Sequence, residues 1–130
     1  MGYTRYWYMG EGTEFSDEFL VRVKEAFEYA ETKCRPSIKI CGPNGYGKPI
    51  VTKHGIYFNG SAELGQDYET CEINFADDFN FCKTKRLPYD CVVNAVLKLA
   101  KTYGYISKVM SDGENDEARA RRIYKHISQG

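Results

Sequence analysis

Between Pro88 and Tyr103 the chain reads as a helix with almost no polar side: Cys91, Val92, Val93, Val96, Leu97 and Leu99 fall around most of its circumference. A helix of that kind must be wrapped by other elements rather than laid on a surface. Pro88 suits the first helical turn and Gly104 the position just past the last one. The 130 residues provide one domain's worth of chain, enough to bury a core without metal or disulfide staples. The expectation is a single α+β domain over residues 1–130.

The elements that would do the wrapping are legible along the chain. Tyr3 to Met9 is rich in residues that favour a pleated strand and ends at Gly10-Glu11-Gly12. Ser16 is a fitting N-cap for an amphipathic helix over 16–33, with Phe19, Leu20, Val23, Ala26, Phe27 and Ala30 at helical spacing. Further strands are expected at Pro36 to Cys41, Ile56 to Phe58, Thr70 to Phe75, Asn80 to Lys83 and Tyr105 to Met110. Asn59-Gly60 reads as a turn closing the third strand, although Asn59 could equally project its amide into a site. Ser111-Asp112-Gly113 reads as a turn before a charged helix over Asn115 to Ser128. The order β-α-β-β-β-β-α-β-α predicts a mostly antiparallel sheet, most simply a meander, with two main helices packed on it and a short C-terminal helix.

Eighteen basic residues balance eighteen acidic ones, so no global field draws the chain to duplex DNA or to an anionic membrane. No apolar run approaches the roughly 20 residues of a membrane span, and the N-terminal residues do not resemble a signal peptide. Cytoplasmic residence is the expectation. The five cysteines lack a CxxC pair and have only His54 and His126 to join them, which points to buried thiols rather than to zinc or disulfides. No cofactor is implied. Gly42 to Lys48 matches GxxxxGK literally, but Pro49, Ile50 and Val51 follow where a P-loop needs Ser or Thr and a helix. A glycine-rich hairpin loop with Lys48 extended is expected instead.

The stretch Phe81-Cys82-Lys83-Thr84-Lys85-Arg86-Leu87-Pro88-Tyr89-Asp90 runs from an apolar strand through a basic loop into the buried helix. It gathers donors at a helix N-terminus, which attracts anions. Thr4, Tyr6, Asn59, Lys83, Thr84, Tyr89, Asp90 and Asp112 are the candidate ligand-binding residues, with no catalytic residue assigned. They suit a small nucleotide-like ligand: aromatic rings stack a base, while lysine and backbone amides take phosphate. Docking on a host protein through Tyr3, Tyr8, Tyr46 and Tyr68 is the alternative. A metal-dependent hydrolase built on Glu72, Asp90 and Asp112 is a third reading. Ser111, Cys82, His54 and His126 could form a nucleophilic set only on paper, because no nucleophile elbow is present.

Gly2-Tyr3-Thr4-Arg5-Tyr6-Trp7, Gly42 to Pro49, Phe58-Asn59-Gly60, Cys71-Glu72, Phe81 to Asp90 and Ser111-Asp112-Gly113 together resemble a family of small uncharacterised bacteriophage and mobile-element proteins. The resemblance covers nearly the whole chain. It carries no established activity, and implies a phage protein in the host cytoplasm that acts on host machinery or on a host small molecule. Sequestration of a signalling nucleotide, as a counter to host defence, is one such action.

Overall fold

The computed structural model describes residues 3–112 and 117–129. Helix α2 (Asp90–Thr102) lies at its centre: Asp90 through Leu97, Leu99 and Ala100 are all buried. Helix α1 (Asp17–Thr32) is amphipathic and buries Phe19, Val23, Ala26, Phe27 and Ala30, capped at its start by Ser16 Oγ, which accepts from Phe19 N–H. Gly104 stops α2 with φ +86°, a value that glycine adopts without strain. The expected difference between a wrapped helix and a half-exposed one is what the structure shows.

The strands are antiparallel and divided between two sheets rather than gathered in one meander. Strand β1 (Thr4–Met9) is the middle of a three-stranded sheet, between β6 (Phe79–Lys83) and β7 (Ile106–Ser111). The second sheet is organised on β4 (Gly55–Gly60), which pairs with β2 (Ile40–Cys41) and β3 (Ile50–Thr52) along one side and β5 (Cys71–Asn74) along the other. Helix α3 (Ala118–Ser128) packs against α1 and α2. Together these elements make one α+β domain. The expected start of the last helix at Asn115 and the Gly113 turn position lie outside the described residues.

Two local expectations are corrected and a third is met. Asn59-Gly60 is the end of β4 and not a turn. A side chain at Gly60 would collide with the Gln66 carbonyl and press on the Tyr89 ring, so this glycine serves close approach of the backbone. Helix α2 begins at Asp90, with Pro88 and Tyr89 forming the turn that leads into it. The glycine-rich loop holds a single 3-10 turn, Pro43–Gly45. Lys48 lies outside any helix and Ile50 opens β3, in keeping with the β-branched residues after Pro49.

Candidate functional site

Residues of a strand point alternately to its two sides, and β1 uses this to separate two kinds of chemistry. Arg5 and Trp7 point inward and are buried, whereas Tyr8 on the other side is 42% exposed. A guanidinium taken out of water needs a carboxylate in good geometry. Asp90, in the first turn of α2, supplies it: Arg5 Nε donates to Oδ1 and Nη2 to Oδ2, each at 2.9 Å. Thr84 Oγ1 donates to the same Oδ1 at 2.7 Å. This bidentate pair with its hydroxyl partner ties the central strand to the central helix.

The loop between β6 and α2 is shaped by the same residues. Lys85 and Arg86 both have positive φ, 54° and 56°, a conformation that costs about 1–2 kcal/mol per non-glycine residue. Thr84 and Lys85 N–H both donate to the Tyr3 carbonyl, Leu87 N–H to the Thr84 carbonyl, and the Arg86 guanidinium stands 4.2 Å from the Tyr3 ring centroid. Beside this loop is a cleft of about 220 Å³ onto which Tyr3, Arg86, Asp90, Cys91, Glu117 and Arg119 open. Two of its three guanidinium groups are paired with carboxylates, Arg5 with Asp90 and Arg119 with Glu117, and the third, Arg86, lies on the Tyr3 ring. Asp90 N–H donates to the Leu87 carbonyl and Val92 N–H to that of Tyr89, so these amides of the helix start are turned inward.

Asn59, Tyr89 and Lys83 meet around the segment 68–70, which joins the two sheets. Asn59 is fully buried; its amide donates to the Tyr68 carbonyl and Thr70 Oγ1, and its Oδ1 accepts from Gly60 and Tyr68 N–H. The buried Tyr89 hydroxyl donates to the Glu69 carbonyl at 2.6 Å. Burial first, and then the neighbouring Cys82, push Tyr89 far above the usual tyrosine range. The Glu69 carboxylate accepts from Lys83 N–H at 2.7 Å, while the Lys83 side chain is exposed. All five cysteines are free and buried; burial pushes Cys91 up to about 12 and raises Cys71 well above its ordinary value.

The outer side of the three-stranded sheet is different. Register places Phe79, Tyr8 and Lys108 in one row, Phe81, Tyr6 and Met110 in the next, and Lys83 beside Thr4 in the third. Phe79 is 41% and Phe81 50% exposed. The Phe79 ring lies 4.9 Å from that of Tyr8 and is stacked on that of Tyr6 at 6.2 Å, centroid to centroid. The Tyr6 hydroxyl donates to Asp112 Oδ1 at 2.9 Å, and this hydrogen bond is the largest reason that its pKa is raised. Asp112 N–H in turn donates to the Thr4 carbonyl. Between β5 and β6, next to Phe81, a cavity of about 440 Å³ is lined by Asn44, Tyr68, Glu72 and Asn80 among others.

The eight sequence-predicted residues therefore divide. Thr4, Tyr6, Lys83 and Asp112 belong to the outer side, Thr4 itself being only 4% exposed, while Asn59, Thr84, Tyr89 and Asp90 are buried and hydrogen-bonded within the protein. Glu72, Asp90 and Asp112 are not brought together: they stand on β5, on α2 and after β7, and among the described residues no group of three His, Cys, Asp or Glu could hold a metal ion. Sequence reasoning passed over Phe79, Phe81, Lys108 and the Arg5 partnership. The signal was the two-residue period of Tyr6 and Tyr8 and of Phe79, Phe81 and Lys83. Compared with known proteins, the chain matches no family model, no curated protein and no solved structure. No helix among the described residues is long and apolar enough to cross a membrane.

Proposed function

We propose that this chain is a non-catalytic binding protein that takes a base-bearing, phosphorylated ligand onto the outer side of its three-stranded sheet. One observation carries the reading: four aromatic side chains, Tyr6, Tyr8, Phe79 and Phe81, share an open sheet face that has Lys83 and Lys108 at its margins. Aromatic faces in water stack on bases with little regard to sequence, at about 1–3 kcal/mol per base. The buried half of the candidate set, from Asn59 to Asp90, holds that face in shape from behind. The phage resemblance supports a role in the host cytoplasm, where such a protein sequesters a host signalling nucleotide or a strand built of nucleotides.

Thermal denaturation with a panel of nucleotides, cyclic dinucleotides and short oligonucleotides tests this. A ligand at a hundred times its dissociation constant stabilises by about 2.7 kcal/mol, which raises the melting temperature by several degrees. The Tyr8→Ala, Phe79→Ala double variant should melt without any ligand-dependent shift. No shift with any member of the panel removes the reading. The same exposed rings favour docking on a host protein as the second reading, which survives if that variant loses a stoichiometric protein partner and no nucleotide binds.

A further inference from the structure

We infer that the ligand of this face is a single-stranded nucleic acid crossing two or three bases over the sheet, rather than one isolated nucleotide. The inference rests on the proposed binding reading and names its substrate class. The aromatic side chains occupy two successive rows, Phe79 with Tyr8 and Phe81 with Tyr6, so the sheet offers more than one stacking position. Rows of alternate residues are about 7 Å apart and strands about 4.8 Å. On that spacing Lys108 and Lys83, at diagonal corners, are about 17 Å apart. One mononucleotide has a single base and fills one of these stacking positions, whereas a short extended strand lays bases on both rows and carries phosphates toward the two lysines.

Charge and shape select an unpaired strand over a duplex. Neither Lys83 nor Lys108 forms an ion pair among the described residues, and the Asp112 carboxylate on this face accepts from Tyr6. Asp77 and Asp78 precede Phe79, so phosphates are favoured at the lysine corners rather than along that end. The chain carries no net charge, too little to hold the dense phosphate rails of a duplex, and paired bases could not present their faces to the rings. The cavity beside Phe81 adds a place for a base turned off the platform. Asn44 and Asn80 line it with amide donors and acceptors that bind base edges, and Glu69 and Glu72 with carboxylates that repel phosphate.

Fluorescence anisotropy with labelled eight-nucleotide RNA and DNA strands, the matching duplexes, and unlabelled mononucleotide competitors decides the matter. The expected result is binding of at least one single strand, at least tenfold tighter than its duplex and than its mononucleotides. The logarithm of the affinity should fall with the logarithm of salt with a slope of about −1.4, from about 0.7 per phosphate contact for two lysines. Lys83→Ala should reduce that slope by about 0.7; the Phe79→Ala, Phe81→Ala double variant should lose tenfold or more while remaining folded, its melting temperature lowered by no more than a few degrees. Tyr46→Ala, an exposed tyrosine away from this sheet, should bind as the parent does. Mononucleotides competing as well as the strand would overturn the inference and leave the binding reading intact. No binding by strand, duplex or mononucleotide would overturn both, and RNA against DNA in the same assay shows which strand the face prefers.

Discussion

The two sides of one strand, Arg5 with Trp7 and Tyr6 with Tyr8, carry comparably large side chains and have opposite fates. On the inner side every charge has a stated partner: Arg5 grips Asp90, and Asp90 also accepts from Thr84. On the outer side the rings pack on one another and Tyr6 alone among them has a charged partner described, Asp112, with Tyr8 42% exposed and Phe81 50%. Around this strand, polar side chains hold the fold and aromatic ones are left on the surface. A row of polar residues in a sequence can thus mark the scaffold, and a row of aromatics the working face.

Breaking the inner side should have the largest effect. Asp90→Ala leaves the Arg5 guanidinium buried without its carboxylate, and removal of one partner of such a pair costs about 3–5 kcal/mol. Urea denaturation should show that loss, and the Arg5→Leu, Asp90→Leu double variant should recover part of it because no lone charge remains. A loss below about 1 kcal/mol for the single variant would mean the pair is solvated and the two sides are less different than described.

Alkaline pH attacks the same interior. Cys71, Cys91 and Tyr89 are neutral acids whose native values are raised above ordinary values of 9.0, 9.0 and 10.0. Above about pH 9 the unfolded chain therefore gives up protons that the native protein keeps. Stability is intact below that point and falls as pH rises toward the value of about 12 for Cys91. By about pH 11 the Cys91 contribution alone is on the order of 3 kcal/mol, at about 1.4 kcal/mol per pH unit. A denaturation midpoint that stays constant from pH 8.5 to 11 would contradict this.

Asn59→Ala is expected to cost about 1–3 kcal/mol, because buried backbone groups of the 68–70 segment lose their partners. Proteolysis should then cut that segment sooner than any other. The smallest effect belongs to the outer side: Tyr8→Ala or Phe79→Ala should cost about 1 kcal/mol or less, the size of a cross-strand aromatic pair, while weakening ligand binding. Loss of stability comparable to Asp90→Ala would show these rings to be part of the core.

The helices were legible because their signals are local. Ser16 caps α1 as its type and position suggest, and the apolar circumference of α2 dictates its burial. The division into two sheets was not, because the pairing of β1 with β6 and β7 joins residues from 71 (Tyr8 with Phe79) to 106 (Arg5 with Ser111) positions apart and leaves no mark on any short window. Asn59-Gly60 carries the composition of a turn, yet Gly60 is needed where the Gln66 carbonyl and Tyr89 crowd the strand. The candidate site was half legible: Tyr6, Lys83 and Asp112 lie on the open face, but Thr84, Tyr89 and Asp90 face the core. Polar residue type alone does not reveal which side of a strand or helix start will be buried; the alternation of Phe79, Phe81 and Lys83 does.

Aromatic-ring resonances followed by NMR during titration with an eight-nucleotide single strand test the central claim most directly. The account predicts saturable shifts for Tyr6, Tyr8, Phe79 and Phe81, with the buried Trp7 indole unmoved. Shifts centred instead on Tyr3, Tyr89 and the loop around Arg86, with the four outer rings unchanged, would contradict it.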